Sequence, residues 1–220
     1  LGHVAYWGIS LGGIFGPGFV GLSDRVGAAI LSVPGGRLIS IVSEADDFSQ
    51  FFDLLATLSQ GADNLLRQAP VAQALIDGAD PVNWAAHLLE DRVGRPGAPA
   101  PQVLVQMVIG DTTVPNVATR SLTRAMALPQ VPTIIVPIDG LPAATSAPVQ
   151  ANLGAALTGG IFQFDRASSR PGGNPRKATH GGVFEGIEAI GQVQEFLDSW
   201  LADDAPTIID PYAVYGTPPL

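Results

Sequence analysis

The stretch Tyr6-Trp7-Gly8-Ile9-Ser10-Leu11-Gly12-Gly13 constrains this chain more than any other. A short apolar run, residues 3–9, ends in a Gly-x-Ser-x-Gly pattern, Gly8 to Gly12, and a second Gly-rich run follows. Between a strand and a helix, this pattern forces the serine onto a turn too tight for side chains on its neighbours. The Oγ then stands exposed at the end of the sheet, within reach of a base. Gly8 and Gly12, two residues to either side, let strand and helix backbones approach closely. The segment 11–23 carries Gly12, Gly13, Gly16, Gly18 and Gly21, so its helix depends on tertiary packing rather than on intrinsic propensity.

Further along, Val26 to Val33 is a continuous apolar run stopped by Pro34-Gly35-Gly36, as expected of a strand covered on both faces. Strand, helix, strand is the order of a parallel sheet with crossovers. Residues 45–92 change character. Phe48, Phe51, Phe52, Leu55, Leu58, Leu65 and Leu66 recur at helical spacing, and Asp80-Pro81 reads as cap and first turn of a helix carrying Trp84, Leu88 and Leu89. Such helices either cover the core or roof a substrate pocket with an apolar face. Arg95 to Pro101 reads as a linker, Gln102 to Ile109 as a strand ending at Gly110-Asp111, and Val117 to Leu128 as a helix. Thr133 to Val136 is a short strand candidate and Ile161 to Phe164 another, the latter closed by Asp165. A polar loop leads to Thr179-His180-Gly181-Gly182, residues 186–201 form an amphipathic helix, and the Pro-rich tail after Asp203 is expected to be extended.

Composition narrows the function. The 220 residues suffice for one domain with a sizeable core, 46% of them hydrophobic and 14% charged. Twenty acidic residues against eleven basic ones give a net charge of −9, and Lys177 is the single lysine. That balance, with no basic cluster, argues against nucleic acid and anionic membrane surfaces as partners. The absence of Cys excludes disulfides, thiolate metal sites and a cysteine nucleophile. No apolar run reaches the length of about 18 to 20 residues that spans a bilayer.

A serine needs a base, and the base a carboxylate to orient it. Among three histidines, His3 lies seven residues before Ser10 on the same strand, roughly 23 Å away along an extended chain. His87 falls within a helix, where a solvated or packed imidazole is the expected role. His180 stands in a Gly-flanked loop, free to reach the carboxyl edge of the sheet, where ligands sit in open parallel sheets. Three aspartates directly follow apolar strands: Asp111, Asp139 and Asp165. Asp111 ends the longest strand behind a permissive Gly110 and ranks first. Asp139 and Asp165 remain alternatives, and each of the three also reads as a turn residue.

The order Ser10, Asp111, His180 resembles that of the α/β-hydrolase family of serine esterases and lipases. Gly-Ile-Ser-Leu-Gly-Gly looks like its nucleophile elbow, Gly-Asp-Thr-Thr-Val-Pro like its acid strand-end and Thr-His-Gly-Gly like its histidine loop. The resemblance runs from residue 3 to 201 and implies a mostly parallel sheet with flanking helices and a helical cap insertion. In its terms, residues 1–44 hold the elbow strand, helix and following strand, 45–96 the cap, 97–202 the rest of the core and 203–220 an extended tail. The 69 residues between Asp111 and His180 imply an insertion around 139–176. The family's elbow follows the fifth of eight strands, so the resemblance implies the C-terminal portion of a longer hydrolase. The missing N-terminal half is then its partner and supplies the second oxyanion amide, the first being Leu11 N–H.

The implied activity is hydrolysis of an apolar acyl ester or lipid, with Ser10 as nucleophile, His180 as base and Asp111 as its orienting acid. No metal or organic cofactor is implied, and membrane contact is limited to transient encounters with a lipid surface. Lipolytic members of the family are often secreted, which the absence of Cys does not oppose. Peptidases and acyltransferases share the same arrangement. From a different class, a non-catalytic fragment that folds only with a partner segment, or a parallel α/β binding domain with a chance motif, also fits.

Overall fold

The computed structural model describes residues 3–90, 92–93, 97–154 and 156–220. Four parallel strands form one sheet in sequential order: β1 (Ala5–Ile9), β2 (Ala28–Ser32), β3 (Gln102–Val108) and β4 (Gly159–Phe164). Every residue of β2, β3 and β4 is buried, which is why their sequences read as mostly apolar runs rather than polar–apolar alternations. Side chains still alternate between faces. Ala28, Ile30, Leu104, Phe162 and Phe164 enter one core, while Ala29, Leu31, Val103, Val105, Met107 and Ile161 enter the other.

The second core is covered by α1 (Leu11–Leu22), α5 (Pro81–Leu89) and α6 (Asn116–Ala125), through Val20, Leu88 and Leu122. The first is covered by α7 (Ile187–Asp203), through Val193, Phe196 and Trp200. The molecule is therefore an α/β chain of three layers. Helix α1 forms despite its glycines because it lies hard against the sheet. A Cβ on Gly16 would sit 2.6 Å from Leu31 Cδ2 and 2.9 Å from the Tyr6 ring, so only glycine permits that approach.

Between β2 and β3 the described residues make four α-helices, α2 (Leu38–Glu44), α3 (Ser49–Leu58), α4 (Ala62–Ile76) and α5, with a 3-10 turn, Asp46–Phe48, between the first two. Helix α2 falls within residues 1–44, where the sequence suggests only strand, helix and strand. The buried Asp80 ties this segment down. Its carboxylate accepts from Arg37 N, Leu38 N and Val82 N at 2.9, 2.6 and 2.9 Å, and from Gln73 Nε2 at 2.8 Å. One side chain thus caps α5, fixes the start of α2 and holds α4.

Elsewhere the structure corrects the sequence reading. Residues 133–136 are not a strand, because Pro132 and Pro137 bracket them. The Gln163 side chain takes the place of a ladder, accepting from Ile135 N and Val136 N and donating to Val136 O. The tail is not extended throughout. Ile208 pairs with Val149, and α8 (Pro211–Tyr215), capped by Asp210, buries Tyr212 against Phe162 and Phe164. A small antiparallel hairpin, β5 (Arg166–Ala167) with β6 (Arg176–Lys177), leads to the loop bearing His180. Residues 95 and 96 of the expected linker lie outside the described residues.

Candidate active site

Because all four strands run the same way, their carboxyl ends form one edge, and the loops leaving that edge bring Ser10, Asp111 and His180 together. Ser10 follows β1 and caps α1 with φ 56° and ψ −117°, a conformation costing a non-glycine residue on the order of 1–3 kcal/mol. The surrounding hydrogen bonds hold it there. Ser10 N donates to Ser32 O at 3.0 Å, Ile14 N donates to Ser10 O at 2.9 Å, and Tyr6 Oη donates to Gly12 O at 2.7 Å.

The two glycines flanking the serine are not equivalent. A Cβ on Gly8 would lie 2.4 Å from the Gly12 carbonyl oxygen, whereas one on Gly12 would meet only Tyr6 Oη at 3.8 Å. Close approach is thus required at Gly8, Gly13 and Gly16, while Gly12 contributes its carbonyl.

Asp111 leaves β3 through Gly110, whose φ of 71° suits glycine. Its Oδ1 accepts from Thr113 N and Val114 N, both at 3.0 Å, and its Oδ2 stands 2.7 Å from His180 Nδ1. The Asp111 side chain is 2% exposed and that of His180 is 19% exposed. Asn116, which the sequence reading passes over, locks this exit. It accepts from Gly110 N at 2.8 Å and donates to Val108 O at 2.6 Å. The available signal was an Asn after Pro115 at a helix start, a position where Asx side chains bond neighbouring backbone.

His180 Nε2 lies 2.8 Å from Ser10 Oγ. With Asp111 accepting from Nδ1–H, Nε2 carries the free lone pair and accepts from the serine hydroxyl. The loop is shaped locally, as Gly182 N donates to Thr179 Oγ1 and Val183 N to Thr179 O. It is Asp111, not the other candidates, that stands against His180; Asp165 pairs instead with Arg166 and accepts from Tyr212 Oη, while the backbone carbonyl of Asp139 accepts from Arg124 Nε. His3 stands 2.7 Å from Asp204 and edge-on to Trp200, and the His87 ring stands edge-on to Trp84.

Leu11 N is the first amide of α1 and has no acceptor within the helix. No acidic residue in that first turn opposes the positive end of the helix dipole, so the position beside Ser10 favours a developing oxyanion. A polar chain runs through the sheet behind the elbow. Trp7 Nε1 donates to Ser32 Oγ, Ser32 Oγ donates to Gln106 Oε1, and Gln106 Nε2 donates to Ala189 O and Gln192 Oε1.

In front of Ser10 opens a cleft of about 470 Å³, lined by Ile14 and Phe15 of α1, Leu38 and Ile41 of α2, Phe48 and Ile76. Asp47 is its one charged lining residue. Among the described residues no cluster of His, Asp and Glu could hold a metal ion, and no helix is long and apolar enough to cross a membrane.

No family model matches the chain, and no curated protein matches it in sequence. Solved structures do. Pyrococcus horikoshii acylaminoacyl peptidase, in its orthorhombic crystal form, superposes with a TM-score of 0.51 at 13% identity, over 91% of this chain and 24% of that one. The uncomplexed form of that enzyme gives 0.48 at 12% identity, over 96% and 25%. A candidate non-heme bromoperoxidase, BpoC, from Mycobacterium tuberculosis H37Rv gives 0.39 at 16% identity, over 89% and 67%. The chain spans about a quarter of the peptidase's length. With the sequential parallel sheet and the first of these likenesses, the chain has the α/β-hydrolase fold.

Proposed function

We propose that the protein is a serine hydrolase acting on carboxylic esters with an apolar acyl group. The observation that carries this reading is the continuous relay from Ser10 Oγ to His180 Nε2 at 2.8 Å and from His180 Nδ1 to Asp111 at 2.7 Å. Such a relay is what an alcohol needs to become a nucleophile at neutral pH. Ser10 Oγ attacks the ester carbonyl while His180 Nε2 takes its proton. Asp111 fixes the imidazole tautomer and stabilises the imidazolium. The tetrahedral oxyanion forms beside Leu11 N–H at the start of α1. On collapse, His180 returns the proton to the departing alkoxide, and water then releases the acyl group by the same relay. The uncharged lining of the cleft, apart from Asp47, supports an apolar acyl group.

A second reading, cleavage of an acyl-amide or peptide bond, draws on the likeness to an acylaminoacyl peptidase. Matched ester and anilide substrates separate the two. The intact protein is expected to hydrolyse a 4-nitrophenyl ester of a medium-chain acid, with Ser10→Ala losing about 10³-fold or more in kcat. Equal rates for wild type and Ser10→Ala would overturn both readings, and a higher kcat/KM on the anilide would favour the second.

A further inference from the structure

Helix α2 is a partition. Leu38, Ile41 and Val42 follow the i, i+3, i+4 spacing of one helix face and line the cleft in front of Ser10. Ile39, Val42 and Ser43 follow the same spacing one residue on and line a second space on the other side. That second space, about 140 Å³, lies between α2, α3 and α4 and is walled chiefly by Phe52, Leu55, Leu65 and Leu66. Val42 belongs to both faces and borders both spaces.

We propose that the chamber beyond Val42 receives the distal part of a long acyl chain whose carbonyl sits at Ser10, and that Val42 sets the accepted chain length. The proposal rests on the ester reading of the site. Three features favour an alkyl chain over another occupant. The chamber and the cleft share the branched aliphatic Val42 in their linings, the chamber's wall is mostly hydrocarbon, and none of its lining residues carries a charge. Ser43 and Gln68 are its polar lining residues, and Ser43 Oγ already donates to Ser40 O, so a polar group there would replace few of the hydrogen bonds it makes in water. Each methylene gains ~0.8 kcal/mol on burial, so kcat/KM should rise about fourfold per carbon until the chamber is full. The partition itself is anchored, since Asp80 holds the first amides of α2. Changing the Val42 side chain therefore alters what stands between the two spaces more than the position of the helix.

The test compares Val42→Trp, Val42→Ala and wild type in the intact protein, reading the ratio of kcat/KM for 4-nitrophenyl laurate over butyrate. A chemistry-free arm measures the affinity of a neutral long-chain probe, dansyl-dodecylamide, in a Ser10→Ala background. Val42→Trp is expected to lower the ratio at least tenfold and to weaken the probe at least tenfold. Val42→Ala, the milder change, is expected to hold or raise the ratio and to move the optimum to longer chains. Ratios and affinities within twofold of wild type in both variants would overturn the proposal, as would a lowered ratio in Val42→Ala. If the probe responds to Val42 but no Ser10-dependent hydrolysis exists, the chamber stands as an alkyl site and the ester reading falls. If hydrolysis depends on Ser10 but neither variant shifts chain preference, the ester reading stands and the chamber is not its acyl site.

Discussion

Gly8→Ala separates what the elbow requires from what its motif merely contains. A methyl at Gly8 would lie 2.4 Å from the Gly12 carbonyl oxygen, 2.5 Å from its carbon and 2.7 Å from Tyr6 Cε1. Two of these three neighbours are backbone and cannot rotate away. Restoring ordinary contact near 3.4 Å means moving the first turn of α1 away from β1 by roughly 1 Å, with Ser10 between them. Overpacking of that kind costs about 1–3 kcal/mol, which for a chain of this size lowers Tm by roughly 2–12 °C. A displacement of about 1 Å at a reacting group costs about 100-fold in rate. Gly12→Ala is the control. Its methyl meets only Tyr6 Oη at 3.8 Å, and it replaces glycine within a helix. It should change stability by no more than about 1 kcal/mol, toward stabilisation. Thermal unfolding followed by circular dichroism reads the first quantity, and kcat/KM on a 4-nitrophenyl ester the second. If Gly8→Ala matches Gly12→Ala in Tm, the close-approach account of the elbow is wrong, whatever the catalytic result.

Other expectations follow from single contacts. Burial alone would raise the Asp80 pKa, but hydrogen bonds from Val82, Leu38, Gln73 and Arg37 outweigh it and hold the carboxyl below its usual value. A folded pKa below the unfolded one adds stability above the unfolded pKa and loses it as pH falls through the folded one. Asp80→Asn should therefore cost about 2–3 kcal/mol in urea unfolding at pH 7 and progressively less as the pH drops below 4, whereas an equal cost at both would refute the linkage. Ile208→Ala removes a fully buried side chain from the core beneath α7 and should cost about 2–5 kcal/mol in the same assay, against nearly nothing if the tail were solvated. Asp111→Asn leaves Thr113 N and Val114 N an acceptor but presents His180 with the wrong tautomer, so kcat should fall by about 10⁴ with little change in Tm. An activity loss that tracks unfolding would assign Asp111 a structural role instead.

What could be read from the sequence divides along physical lines. Strands β2, β3 and β4 are legible because burial on both faces leaves mostly apolar residues, with Ser32, Gln102, Gln106 and Gln163 the buried polar exceptions. The short α2 is not, since seven residues give barely two turns in which to recognise a helical period, and Asp80, some forty residues away, fixes its start. Residues 133–136 have the composition of a strand, but their flanking prolines deny it a ladder. The Asp-Pro signal marks both α5 and α8, but among apolar neighbours it stands out only at residues 80–81. At 210–211 the Pro-rich surroundings hid a helix that buries an aromatic ring. In the site, chain order and strand ends suffice to nominate Ser10, Asp111 and His180. What separates Asp111 from Asp165 is tertiary, namely the Arg166 and Tyr212 contacts that engage Asp165. The cleft and chamber lining was beyond the sequence, because it depends on which face of α2 meets which neighbour.

Beyond the elbow, β1 has no outer partner among the described strands, and Trp7 and Ile9 of β1 with Leu11, Phe15 and Phe19 of α1 are exposed.

The most direct test of the central claim is covalent capture of the nucleophile. The intact protein is treated with a fluorophosphonate, digested, and the modified peptide identified by mass spectrometry, with the labelling rate compared between wild type and His180→Ala. The relay predicts one adduct, on Ser10, forming at least 10³-fold more slowly without His180. Labelling elsewhere, or at the same rate in both proteins, would contradict it.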